Sequence, residues 1–172
     1  MTKNIADMEE QKKKRYLAYR ILGNIDNFIA ILFLFALLVN FAATGFNMSL
    51  LLPVFISFSI LLYTNLTAVF ARYVMVKGNF LRFKLKEWIK VNAYVTIIYA
   101  SFVILIMTWG LLEKTSLQKV SSTMGVPENL LHNAIFILMA CMVLLIVHVV
   151  LTFQYLKQFR DSFRDPEEPP AQ

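Results

Sequence analysis

The residues best placed for chemistry are His148, Thr152 and Tyr155, whose i, i+4, i+7 spacing puts them on one stripe of a helix. Asn92, Thr96 and Tyr99 repeat that spacing, and Thr64, Asn65 and Thr67 cluster in another apolar stretch. Brought to one depth, these groups would line a polar cavity inside an otherwise apolar protein. His148 would be its titratable member, with Asn65, Thr64, Thr96, Tyr99 and Thr152 as hydrogen-bonding walls. Such a cavity suits an ion, a proton or a small polar ligand. The plainer role for the same residues is to hold helices together, each interhelical hydrogen bond contributing on the order of 0.6 kcal/mol. Sequence favours that role, because no carboxylate is expected at membrane depth beside the histidine. The nearest acid, Asp26, is expected at the mouth of the first span, within reach of water, as a first-turn residue favoured by the helix dipole.

Other chemistries are poorly supplied. The only histidines are His132 and His148, and there is no HExxH, CxxC or carboxylate cluster, so no metal or other cofactor is expected. Sixteen residues apart on one helix, the two histidines stand about 24 Å from each other and cannot share a haem iron. No base is spaced to activate a serine or Cys141, and catalysis is not expected. A lone cysteine in an apolar run packs as a small hydrophobe and forms no internal disulfide.

The elements that must position these residues are set by composition. Of 172 residues 58% are hydrophobic, far above a soluble chain, and the mean hydropathy is +0.60. Four apolar segments, at about 25–44, 49–71, 91–112 and 130–156, are each long enough to cross a hydrocarbon core of roughly 30 Å at 1.5 Å per residue. The short link after Thr44 demands an antiparallel hairpin, with Pro53 tolerated in the first turn of the second helix. Trp88 and Trp109 bracket the third span, and Pro127 with Glu128 marks the start of the fourth. The fold class expected is all-α: a four-helix transmembrane bundle of two antiparallel hairpins, with short amphipathic interfacial helices on the cytoplasmic side.

Charge sets orientation. Fifteen of the 17 Lys and Arg fall in residues 1–24, 72–90 and 157–172, leaving Lys114 and Lys119 in the outer loop 113–129. The positive-inside rule then places both termini and the 72–90 loop in the cytoplasm, and a bacterial-type inner membrane fits the bias. The +6 net charge is thereby accounted for without nucleic acid. Within the loop, Arg82, Lys86 and Lys90 recur at i, i+4, i+8 beside an apolar stripe of Leu81, Leu85 and Trp88. Together with Lys12, Lys13, Lys14 and Arg15 they form a basic face able to meet anionic lipid headgroups, at roughly 1 kcal/mol per base, or a protein partner. Residues 1–24 are expected as a separate basic segment at the headgroup level. Residues 157–172 are read as a helical extension followed by a disordered tail from Pro166.

Arg20, Gly23 and Asp26, ahead of a phenylalanine-rich span, resemble the opening of the RDD family of membrane proteins, whose first helix begins with Arg and Asp. The resemblance is confined to those positions. The chain lacks the family's membrane aspartate in the second helix and its Thr-x-Gly-Lys turn, and no family property is carried onto it.

The leading expectation for function is a non-enzymatic membrane component, an oligomeric scaffold or pore-forming accessory that docks a partner or anionic lipid through its basic face. The second is a small transporter or ion or proton pathway using the inner cavity around His148. A membrane-embedded enzyme stands third.

Overall fold

The computed structural model describes residues 2–45 and 47–163, with side chains from Tyr16 onward except at 114, 116 and 124. Among the described residues its regular elements are all helices, without strands. Four helices are long and apolar enough to span a membrane. They are α1 (Thr2–Ala43), α2 (Leu51–Phe70), α3 (Phe83–Leu112) and, after a short α4 (Lys114–Met124), α5 (Glu128–Gln158). α1 packs on α2, α2 on α3 and α3 on α5, and α1 returns against α5 to close the ring.

Local chemistry explains the joints. α1 ends in a turn at Gly45, whose φ of 69° is unfavourable for any residue with a Cβ. Asn47 then accepts the Ser49 amide at 3.0 Å, capping the 3₁₀ turn Met48–Leu50 that leads into α2. α2 runs on into a π-helical turn, Ala71–Val76, and the chain reverses before α3. α4 stops at Gly125, again at positive φ, and α5 starts after Pro127.

The helices are longer than the sequence pattern implies. No break separates the basic N-terminal segment from the first span: α1 is one helix of 42 residues, about 63 Å long, twice the thickness of a hydrocarbon core. The backbone of Lys12, Lys13, Lys14 and Arg15 belongs to α1, while their side chains lie outside the described residues, as does the tail expected from Pro166. Nor do residues 72–90 form a helix of their own. Their first part extends α2, and their last part is the beginning of α3. The outer loop, read as a polar link, contains α4, whose Leu117 is buried.

At the basic end the chain after α5 folds back. Leu81 donates its amide to Ser162 O at 2.9 Å, forming a single bridge with Phe163. Phe163 stacks on Phe70, ring centroids 5.6 Å apart, and Lys86 Nζ lies 5.4 Å from the Phe163 ring and 5.5 Å from that of Phe83. Lys86 is therefore buried between aromatic faces. Arg82 is exposed as the residue before α3, and Lys90 pairs with Glu87 at 2.8 Å. The C-terminal segment thus covers Lys86, the middle member of the expected i, i+4, i+8 stripe.

Candidate functional site

The interior of the ring is polar at one level, where three stripes meet. On α1 they are Tyr19, Gly23 and Asp26; on α2, Tyr63 and Thr67; on α5, His148 and Thr152, each spaced to share a face. Tyr19, Asp26, Tyr63, Thr67, His148 and Thr152 are all buried. Thr152 Oγ donates to the His148 carbonyl at 2.8 Å, as a hydroxyl often does one turn back along a helix. With its proton committed, its two lone pairs accept from Tyr19 at 2.8 Å and Tyr63 at 2.7 Å. One hydroxyl thus ties α1, α2 and α5 together with its hydrogen-bonding capacity filled.

Beside this tie sits an acid–base pair. His148 Nδ1 lies 2.8 Å from Asp26 Oδ2. The approach is off the line of a well-directed hydrogen bond. Asp26 Oδ1 and His148 Nε2 have no hydrogen-bond partner among the described residues. Edge-on Tyr19, 4.9 Å between ring centroids, and tilted Tyr63, at 5.4 Å, flank the imidazole. Asp26 is not the solvated residue at a helix mouth that the sequence implied. Because α1 begins far upstream, residue 26 falls mid-helix, 2% exposed, facing α5. The carboxylate thought to be missing beside the histidine is this one.

Space approaches the pair from two sides. Toward the basic end a groove of about 590 Å³ runs between α1 and α2, with Tyr16, Arg20, Asn65, Arg72 and Lys77 on its walls and His148 at its floor. Gly23 lines the same groove and makes the last contact before the ring. A Cβ there would stand 3.2 Å from His148 Cε1 and 3.3 Å from Nε2, closer than side chains normally pack. On the opposite side of Asp26 lies a cavity of about 40 Å³, wide enough for water, with Ser57 and otherwise mostly apolar side chains such as Ile60, Leu138 and Leu145.

The residues singled out in the sequence are divided among three places. His148 and Thr152 form the centre, and Asn65 lines the groove. Thr64 is buried but turned to α1, donating to Asn27 Oδ1 at 3.0 Å and to the Leu61 carbonyl. Thr96 is buried on α3 and donates to the Asn92 carbonyl at 2.7 Å, while Tyr99 is half-buried against the apolar core. Neither Thr96 nor Tyr99 lines the groove. Sequence reasoning overlooked Tyr63 and Asn27 as partners, and left Tyr19 and Gly23 outside the site. The signal was there in α1, where Tyr19, Gly23, Asp26 and Ala30 share one face. No group of three potential metal-ligating side chains occurs among the described residues.

Compared with family models, curated proteins and solved structures, the chain matches none.

Proposed function

We propose that the chain is a small membrane transport protein that handles protons through the Asp26–His148 pair. The observation that carries this reading is the pair itself, buried between a groove on one side and a small cavity on the other. Ionisable side chains at membrane depth are costly and occur where a proton, ion or substrate moves. Histidine changes charge in the physiological range, and its two ring nitrogens can receive a proton on one face and release it on the other. Here Nε2 is the atom toward the groove and Nδ1 the atom toward Asp26. A proton taken from the groove would pass through the ring to the carboxylate, whose far side meets the small cavity. The charged and titratable groups around the ring are Tyr19 and Tyr63 beside it, Tyr16, Arg20, Arg72, Tyr73 and Lys77 along the groove, and Asp26.

In this reading the groove opens to the cytoplasm of a bacterial-type inner membrane, with both termini on that side, as the distribution of Lys and Arg favours. The test is proton movement in liposomes containing the purified chain and a trapped pH dye. His148→Ala is expected to alter the pH dependence of the flux; an identical profile in the variant would remove His148 from the pathway.

A second reading, an oligomeric non-enzymatic scaffold that docks anionic lipid or a partner, draws on Arg82, Lys84 and Trp88, exposed together near the start of α3. It requires an assembly larger than one chain. A monomeric mass in detergent would count against it and leave the proton pathway untouched.

A further inference from the structure

The groove has a composition that the proton reading does not use. Arg20 on α1, Arg72 in the π-helical turn and Lys77 just after it all line its walls, and no Asp or Glu does. Among the described residues none of the three makes an ion pair; Lys77 lies only over the ring of Tyr73, 5.3 Å from its centroid. The floor is the unpartnered Nε2 of a fully buried histidine, with the side-chain-free Gly23 standing between it and the groove. The carboxylate that could neutralise these cations lies behind the ring, on its Nδ1 side.

We infer that this groove binds an anion bearing a carboxylate or phosphate group on a small organic body. Arg20, Arg72 and Lys77 hold it at the mouth, and His148 Nε2 donates to it at the floor when the ring carries a proton there. Guanidinium groups match these oxyanions with paired hydrogen bonds, and Asn24 supplies a neutral donor on the same walls. About 590 Å³ is the size of a small-molecule site and would leave a single halide mostly surrounded by water. The oxyanion could be a free solute or the headgroup of an anionic lipid entering between α1 and α2, and the chemistry of recognition is the same for both. The inference rests on the groove being the approach to the Asp26–His148 pair.

The test uses the full chain in neutral detergent, its thermal unfolding followed during titration with succinate and with inorganic phosphate. In parallel, unfolding is followed in nanodiscs of phosphatidylcholine with or without phosphatidylglycerol. Saturable stabilisation by succinate or phosphate assigns the site to a soluble anion, and stabilisation by phosphatidylglycerol alone assigns it to a lipid. Either result is expected to weaken on the order of tenfold in Arg20→Gln and in Arg72→Gln. Lys119→Gln, an exposed base outside the groove, should leave it unchanged. The inference is overturned if no probe gives a saturable shift, if the shifts survive both groove substitutions, or if Lys119→Gln lowers them equally. Proton flux without anion binding would overturn this site and spare the pathway; anion binding without proton flux would do the reverse.

Discussion

His148 Nδ1 and Asp26 Oδ2 stand 2.8 Å apart across the contact of α1 with α5, their side chains 0% and 1% exposed. Each is the other's polar neighbour in the interior. Removing one partner strands the second, at a cost that reaches about 3 kcal/mol for buried pairs. Asp26→Asn and His148→Gln should therefore each destabilise the chain, while the double substitution costs clearly less than their sum. Unfolding of the three variants in detergent measures this. Strictly additive losses would mean that the two residues do not interact.

Thr152 is the second structural centre, since its one hydroxyl serves Tyr19, Tyr63 and the His148 carbonyl. Thr152→Val keeps the shape and deprives two buried phenols of their acceptor. The loss should be on the order of 2 kcal/mol, above the average for one interhelical hydrogen bond. Tyr19→Phe and Tyr63→Phe should each cost less, because each removes a donor and leaves Thr152 bonded to the other. A thermal midpoint for Thr152→Val equal to wild type would refute the shared-hydroxyl assignment.

Gly23 separates the groove from the imidazole. In Gly23→Ala the new methyl would stand 3.2–3.3 Å from the outer ring atoms, a crowding that a small shift of either neighbour relieves. Alanine also favours a helix over glycine by up to about 1 kcal/mol, so the fold should survive. What should change is access. In a His132→Gln background, carbethoxylation of His148 by diethyl pyrocarbonate should slow severalfold in Gly23→Ala. An unchanged rate would place the route to the ring elsewhere.

The C-terminal segment is held at the basic end by aromatic contacts, with Phe163 stacked on Phe70 and lying over Lys86. A cation over an aromatic face contributes roughly 0.5–2 kcal/mol. Arg160 is already exposed, so Phe163→Ala should act by releasing the segment that holds it, giving faster cleavage by trypsin after Arg160 while the bundle stays folded. Equal cleavage rates would show that Phe163 is not what secures it.

Much of the helical layout is legible in the sequence, because twenty-residue apolar runs have few alternatives. The α2 and α5 polar residues were also visible, as stripes at helical spacing. What could not be read was depth. The position of Asp26 depends on where α1 begins, and a basic, polar segment such as residues 1–24 looks like a boundary even when the helix runs through it. The burial of Lys86 is hidden for a related reason: its i±4 neighbours are bases, but its burial is decided by Phe163, far along the chain. Thr96 and Tyr99 repeat the spacing of His148 and Thr152 yet do not line the groove, since spacing fixes a face and not which neighbour it meets.

The most direct measurement is proton flux driven by a potassium diffusion potential in liposomes carrying the chain and a trapped pH dye. Wild type should acidify or alkalinise the lumen in proportion to protein, and Asp26→Asn, which keeps the size of the side chain but cannot take a proton, should abolish the signal. Flux that persists unaltered in Asp26→Asn, or that wild type never shows, would contradict the role given to the pair.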